Sequence, residues 1–151
     1  MRILLISTSY NNLTQLIHGK LREDGADVSA TLSLSDEHLR NAVKFHRPEL
    51  IICPFLKEKL PKDIYTAVPS IIIHPGIVGD RGPSSLDWAI LDGAKEWGVT
   101  AIQATEEFDA GPIWATRAFP MRFAAKASIY RHEVALAALN LVDKVIERFM
   151  N

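Results

Sequence analysis

Features of secreted, membrane-spanning and nucleic-acid-binding proteins are scarce in this sequence. Its 151 residues include one cysteine, Cys53, which excludes an internal disulfide and a cysteine-rich metal site. The first apolar run, residues 3–6, is far too short for a signal peptide or a membrane span. Seventeen basic residues stand against eighteen acidic ones, with no basic stripe of the kind that binds nucleic acid or a membrane surface. We therefore expect a cytoplasmic protein with neither nucleic-acid nor membrane partners.

Glycine is absent from the loop after that first apolar run. The loop reads STSYNN, so it matches neither the glycine-rich dinucleotide fingerprint nor a phosphate-binding loop. A tightly bound dinucleotide or nucleoside triphosphate is therefore disfavoured. The histidines lack the spacing of a metal site, and we predict no metal. Cys53 lies in the apolar run 50–53, where a buried, unreactive thiol is expected.

Short apolar runs alternate with helical patterns along the chain. Runs typical of strands lie at residues 3–6, 28–32, 50–53, 70–73, 99–105 and 113–119. Helices are predicted from the repeat Leu13, Leu16, Ile17 and Leu21, after the capping residue Ser35, from Ser84 or Ser85 to Ile90, and from Ser128 to Phe149. The last helix is predicted to bury a stripe formed by Ala135, Leu136, Leu139, Val142, Ile146 and Phe149. We expect one α/β domain over residues 1–151, with a Rossmann-like, mostly parallel sheet and helices on both faces.

Two polar residues near strand ends, His74 and Asp109, are the candidate catalytic pair. His74 follows the buried run 70–73 and leads directly into Pro75-Gly76, which sharpens the turn. In sheets of this kind ligands bind beyond the carboxyl ends of the strands, which is where His74 is expected. An imidazole there can donate to a developing oxyanion, and a carboxylate can orient it or take a proton through a water. Spacing alone leaves the ordinary alternatives open, a surface histidine and a turn aspartate.

The segment around these residues resembles a known family. The matching pieces are His74-Pro75, Arg81-Gly82, Trp88-Ala89-Ile90, Gly98-Val99-Thr100 and Asp109-Ala110-Gly111. In order, spacing and residue type they are similar to the N-terminal domain of the 10-formyltetrahydrofolate-dependent formyltransferases. The resemblance implies the fold of that domain, 10-formyltetrahydrofolate as the cosubstrate, and catalytic roles for His74 and Asp109.

One position departs from the family pattern. Two residues before the histidine the family has asparagine, whose amide helps to hold the formyl oxygen, and this chain has Ile72. Losing one such donor costs roughly 3–4 kcal/mol of transition-state stabilisation. An apolar residue at this position also occurs in the HypX/HoxX group of hydrogenase maturation proteins. The formyltransferase-like part of that group is similar to the segments SYNNLTQ, IICPFLKEKLPKDIY, IHPGIVGDRGPSSLDWAI and EFDAGPIWA.

This second resemblance implies a particular acceptor and a later step. The formyl group would pass to the thiol of coenzyme A, a stronger nucleophile than a neutral amine and therefore less dependent on the missing amide. A hydratase-like C-terminal domain would then release CO, a ligand of the iron in [NiFe]-hydrogenase. No such domain is present within residues 1–151. We therefore expect either a fragment of a longer two-domain protein or a stand-alone chain that needs a partner protein.

Four further residues are candidates for ligand contacts. Phe55 and Leu56 follow the third predicted strand, where the loop in the family meets the pteridine of folate, although Phe55 could equally belong to the core. Arg81 could face an anionic cosubstrate or simply pair with Asp80. Gln103 could act within the pocket or remain a solvated strand residue. Packing roles are expected for the tryptophans Trp88, Trp97 and Trp114.

Two other functions stay open on the sequence alone. A catalytically weak folate-binding or partner-docking module would be consistent with Ile72. A formyltetrahydrofolate hydrolase would use water as the acceptor. The products separate the three cases, because a transferase yields a formyl thioester, a binding module returns unchanged folate, and a hydrolase yields formate.

Overall fold

The computed structural model describes residues 1–81 and 84–151, and its framework is a six-stranded sheet. The strands, in chain order, are β1 (Arg2–Ser7), β2 (Asp27–Leu32), β3 (Leu50–Phe55), β4 (Ser70–His74), β5 (Glu96–Gln103) and β6 (Ile113–Pro120). They lie side by side in the order β2-β1-β3-β4-β5-β6. The first four in chain order run parallel, whereas β5 is antiparallel to β4 and β6 is antiparallel to β5. The expected mostly parallel α/β sheet is confirmed.

Helices connect and cover these strands. They are α1 (Asn12–Glu23), α2 (Asp36–His46), α3 (Lys62–Ala67), α4 (Ser85–Leu91), α5 (Lys126–Ile129) and α6 (Ala135–Met150), with a π-helical segment, Tyr130–Val134, that joins α5 to α6. Asn11 and Ser35 cap the first two helices, because their side-chain oxygens accept hydrogen bonds of 3.0 Å from the backbone N–H groups of Thr14 and His38. None of the helices in the described part of the chain is long and apolar enough to cross a membrane.

Both faces of the sheet are buried beneath helices. Alternate residues of β1 show the division, since Ile3 and Leu5 belong to the cluster with α1 and α6, while Leu4 and Ile6 belong to the cluster with α2 and α3. Strands buried on both sides are apolar at every position, which explains the uninterrupted run in β3. Cys53 lies in the second cluster, fully buried, and its burial raises the pKa of the thiol. The thiol is therefore held protonated, as predicted.

Three features of the helices differ from the prediction. Helix α3 was not predicted, because six residues are too few to show a helical repeat. Ser84 or Ser85 was expected to cap α4; the helix begins at Ser85, and Ser84 before it has a φ of 63° and forms no side-chain capping hydrogen bond. Leu136 is 69% exposed, whereas Ala137 and Ala138 are buried. The predicted stripe on the last helix followed the largest apolar side chains, but small alanines take the positions next to the sheet.

Candidate active site

His74 is the last residue of β4 and lies at the carboxyl edge of the parallel strands. It is only 4% exposed, and Ile72, two residues earlier, lies on the same face of the strand. The chain turns sharply after the histidine, because the N–H of Gly76 donates to the His74 carbonyl at 2.9 Å. The position of the imidazole is thus fixed by the strand on one side and by the turn on the other.

Both nitrogens of the His74 imidazole face carboxylates. Nε2 lies 2.9 Å from Oδ2 of Asp80, and Nδ1 lies 3.3 Å from Oδ2 of Asp109. A neutral imidazole has one N–H, so the two contacts can both be hydrogen bonds only if the ring is an imidazolium or a carboxyl group holds a proton. The three side chains together therefore form a cluster of acid–base groups at the end of β4.

Asp109 reaches the histidine because the segment after β5 folds back along the sheet. Since β5 is antiparallel to β4, its last residue, Gln103, lies opposite Ile71, three residues before His74. The chain must therefore return by about 10 Å, the rise of three strand residues, before Asp109 can contact the imidazole. Gly111 permits this path, because a Cβ at that position would collide with the carbonyl oxygen of Gln103. Asp109 itself adopts a φ of 51°, a left-handed conformation that aspartate tolerates better than most residues.

A cavity of about 490 Å³ opens beside the His74–Asp109 pair. Its wall is formed by the end of β3 and the residues that follow it (54–60), by the end of β4, by residues 102–109, by the start of α4 and by the π-helical segment. The volume lies within the ordinary range of small-molecule sites. Tyr130 lines the cavity and accepts a hydrogen bond from Nδ2 of Asn11 at 3.4 Å. Burial raises the pKa of this phenol, against the smaller opposite effect of that hydrogen bond, so a neutral hydroxyl is presented to the cavity.

Phe55 and Leu56, two of the predicted ligand-contact residues, line this cavity. Phe55 is half-buried, and the ammonium of Lys57 lies 5.4 Å from the centroid of its ring. Leu56 is also half-buried and packs against the cluster that contains α2 and α3. Phe55 is therefore an aromatic group on a cavity wall, and the alternative that it belongs to the core was wrong.

Ile72 and Gln103 also line the cavity, on adjacent strands. Ile72 is half-buried and supplies an apolar side chain near the imidazole. Gln103 is half-buried too, and its Oε1 accepts a hydrogen bond of 3.1 Å from Nε1 of Trp114 on β6. The Gln103 amide is therefore held by a neighbouring strand, and its contact with a ligand stays a prediction.

Arg81 and Trp88 lie elsewhere than the prediction implied. The guanidinium of Arg81 is 3.6 Å from the carboxylate of Glu107, with both side chains well exposed, so the predicted pairing with Asp80 was wrong. Arg81 is not among the described residues that line the cavity. Trp88 is 62% exposed, so its predicted packing role was wrong, whereas the other two tryptophans pack against the larger core cluster. Gly82, part of the family-like motif, lies outside the described residues.

Asp80 is the site residue that the sequence did not reveal. Its neighbour Arg81 is an obvious ion-pair partner in the sequence, and no spacing rule connects a loop aspartate with a histidine six residues before it. The contact with His74 arises because the chain from Pro75 to Asp80 curls back beneath the end of the strand. Only the folded loop shows it.

Lysine and glutamate side chains surround the cavity. Lys57, Lys59 and Lys126 contribute positive charge, and Glu58 and Glu107 contribute negative charge. No cluster of three or more metal-ligating side chains occurs in residues 1–81 and 84–151. The cavity therefore combines an acid–base pair and apolar walls with charged groups of both signs.

A family model described as formyl transferase matches residues 26–138, well over half of the chain. The chain belongs to the formyl transferase family. Methionyl-tRNA formyltransferase from Clostridium thermocellum has the same fold, with a TM-score of 0.81 at 21% identity over 98% of this chain and 65% of that one. The fold expected from the family resemblance is confirmed.

Relatives within the family include hydrogenase maturation proteins. Hydrogenase maturation factor HoxX of Bradyrhizobium diazoefficiens is 54% identical over 146 residues, which are 97% of this chain and 26% of that protein. The crystal structure of HypX from Aquifex aeolicus in complex with tetrahydrofolic acid superimposes with a TM-score of 0.98 at 47% identity. That match covers 99% of this chain and 27% of the HypX chain. The chain thus resembles the HypX/HoxX group, as predicted, and spans about a quarter of the length of these relatives.

Proposed function

We propose that this chain transfers the formyl group of 10-formyltetrahydrofolate to the thiol of coenzyme A. The observation that carries the proposal is the contact between His74 and Asp109 beside a cavity of about 490 Å³. Membership of the formyl transferase family supports a formyl donor, and the HypX structure with bound tetrahydrofolic acid supports a folate.

The transfer forms one bond and breaks another. The sulfur of the acceptor attacks the formyl carbon, and the bond from that carbon to N10 of the folate breaks. The proton of the thiol ends on N10, so the products are a formyl thioester and tetrahydrofolate. We assign to His74 the hydrogen bond to the formyl oxygen, on which negative charge develops. We assign to Asp109 the orientation of the imidazole and the passage of the proton from sulfur to nitrogen, directly or through a water.

The remaining wall suits the two substrates. The apolar side chains of Phe55 and Leu56 are suited to contact the flat pteridine, and the oriented amide of Gln103 adds a polar group beside them. Lys57 and Lys59 supply positive charge for the carboxylates of a folate. Arg81 remains a candidate for the anionic part of coenzyme A, because it is exposed and its contact with Glu107 is as long as 3.6 Å.

Ile72 favours a thiol over an amine as the acceptor. Its side chain cannot donate a hydrogen bond, so the formyl oxygen receives less stabilisation than an asparagine at the same position would provide. A thiol is the stronger nucleophile at neutral pH and tolerates that loss better than a neutral amine. The apolar wall and the proposed acceptor are therefore chemically consistent.

The formyl thioester would serve as a source of CO. Its decomposition gives CO and free coenzyme A, which balances without an oxidant or a reductant. We propose that a hydratase-like domain or a partner protein performs this step in the cytoplasm, and that the CO becomes a ligand of the iron in [NiFe]-hydrogenase. The support is the similarity to a hydrogenase maturation factor.

A single-turnover experiment tests the transfer. The chain is mixed with 10-formyltetrahydrofolate labelled in the formyl group and with coenzyme A, and the labelled product is identified. His74→Ala and Asp109→Asn should each abolish formation of the formyl thioester while tetrahydrofolate still binds. His46→Ala, a histidine at the end of α2 outside the cavity, is the matched control and should keep the wild-type rate. Wild-type rates in both site variants would refute the proposed function.

A catalytically weak folate-binding or partner-docking module is the second candidate, and Ile72 is the observation that favours it. In that case the same mixture would return unchanged 10-formyltetrahydrofolate bound to the chain. Labelled formate would instead identify water as the acceptor and the chain as a formyltetrahydrofolate hydrolase.

A further inference from the structure

We propose that Asp80 is a positioning residue for His74, which it holds by Nε2 so that Nδ1 is the nitrogen presented to Asp109 and the cavity. The inference rests on the proposed function only for the role of the oriented imidazole, which is to hydrogen-bond the formyl oxygen. Its structural basis is the 2.9 Å contact between Nε2 and Oδ2 of Asp80. It gives Asp80 a role that neither family membership nor the sequence motif assigns.

The loop that carries Asp80 is anchored to β5 at two points. Nε1 of Trp97 donates to the carbonyl of Pro75 at 3.0 Å, and the buried hydroxyl of Thr100 donates to the carbonyl of Gly76 at 2.7 Å. Further along the loop, the N–H of Asp80 donates to the carbonyl of Ile77 at 3.0 Å. The start of the loop is therefore held by the sheet, and Asp80 is connected to that start through its bond to Ile77.

Gly76 supplies independent evidence that the contact is built into the loop. A Cβ at this position would lie 2.6 Å from Oδ2 of Asp80 and 2.8 Å from Cδ2 of His74, closer than real Cβ contacts. The imidazole of His74 and the carboxylate of Asp80 thus both pack against the backbone of Gly76, and any side chain at residue 76 would push them apart. The loop accommodates the pair only because residue 76 is glycine.

The two carboxylates differ in where they lie. Asp109 is part of the cavity wall, whereas Asp80 is not among the described residues that line it. The carboxylate that accepts a hydrogen bond from one ring nitrogen determines which nitrogen carries a proton and how the ring is turned. With the Nε2 N–H held by Asp80, a half-turn of the ring would lose this hydrogen bond. The hydrogen bond to the formyl oxygen must then come from Nδ1, which can donate it once it has taken a proton from Asp109 or from the thiol.

Ring ¹⁵N spectroscopy on the 151-residue chain tests the orientation without requiring catalysis. The His74 signals are identified among the five histidines by comparison with His74→Gln. In the wild type, Nε2 should show the chemical shift of a protonated nitrogen. In Asp80→Ala it should move towards the unprotonated value, and in Asp80→Asn, whose amide oxygen can still accept, it should stay close to the wild type. Asp63→Ala removes an exposed carboxylate that pairs with Arg40 and is not among the described residues that line the cavity, and it should leave the His74 signals unchanged.

Transfer and binding measurements complete the test. Loss of a group that orients a functional side chain typically costs about 10–100-fold, so Asp80→Ala should slow single-turnover transfer by about that factor. Tetrahydrofolate binding should change by less than about threefold, and Asp80→Asn should recover part of the rate. Unchanged ring shifts in Asp80→Ala, or an Asp80→Asn variant as impaired as the alanine variant, would overturn the proposal. If the wild type transfers no formyl group at all, the proposed function fails, and the ring shifts still decide the role of Asp80.

Discussion

Ile72 supplies an apolar side chain to the cavity wall beside His74. It lies between Cys53 on β3 and Ile102 on β5, and it shares a face of β4 with His74. Replacement of Ile72 by asparagine would add hydrogen-bonding groups to the wall while keeping the number of side-chain heavy atoms the same. The residue therefore offers a direct test of how the acceptor is selected.

Ile72→Asn should raise the rate of transfer to an amine relative to a thiol. The amide adds a donor for the formyl oxygen, an interaction worth about 100-fold or more in rate, and the weaker nucleophile gains most from it. The change also places a polar group in a partly buried wall, so the free energy of unfolding should fall by about 1–3 kcal/mol. Single-turnover rates with coenzyme A and with glycinamide, together with urea unfolding, measure both effects. Ile72→Val is the control, and an unchanged ratio of the two rates in Ile72→Asn would contradict the explanation.

The three residues that meet at the candidate site, His74, Asp109 and Asp80, differ in how far the sequence could predict them. His74 and Asp109 were found because each carries a turn motif that matches the family, His-Pro in one case and Asp-Ala-Gly in the other. Asp80 was not found, because its role depends on a loop that curls beneath the strand and on the bare backbone of Gly76. A motif records residues that follow a strand, but it does not record how a loop folds back on that strand.

Among the strands and helices, β5 is the element whose direction the sequence could not predict. Its position as a strand was predicted, but its direction was not, since an apolar run reads the same in a parallel and in an antiparallel strand. The direction matters for the site, because it places Gln103 at the far end of β4 and makes the following segment return to His74. The strands of the sheet were thus predictable from local pattern, whereas the route of Asp109 to the imidazole required the pairing.

Helix α1 contains a glycine that the fold does not need. Gly19 is exposed in the middle of the helix, and a Cβ there would meet nothing within 4 Å. Gly19→Ala should therefore stabilise the chain by about 0.5–1 kcal/mol, because alanine loses less backbone entropy in a helix. Urea unfolding measures the change.

Gly25, just beyond the same helix, is the matched control. It also has open space around its Cα, but its φ of 92° is unfavourable for any side chain. Gly25→Ala should lower the free energy of unfolding by about 1 kcal/mol or more, opposite in sign to the change at Gly19. Equal changes in the free energy of unfolding for Gly19→Ala and Gly25→Ala would contradict the explanation from backbone conformation.

For the whole molecule, binding of the proposed folate in the cavity should raise the stability of the fold. A ligand that binds only the folded chain stabilises it by about 2.7 kcal/mol at a concentration one hundred times Kd. For a domain of this size that corresponds to a rise in Tm of about 5–10 °C. Thermal unfolding with increasing tetrahydrofolate should show such a rise. p-Aminobenzoylglutamate, which lacks the pteridine, should give a much smaller one, and equal shifts would place the pteridine outside the cavity.

The π-helical segment between α5 and α6 predicts a one-residue difference in length from relatives that lack it. A π-turn is equivalent to one additional residue within a continuous α-helix. Tyr130 and Val134, at its two ends, both line the cavity, while the helix beyond it packs against the sheet. We therefore expect the extra residue to be an insertion that the wider turn accommodates. A relative that lacks it should align with a single-residue gap between Ile129 and Ala135, and the buried face of α6 should remain the same.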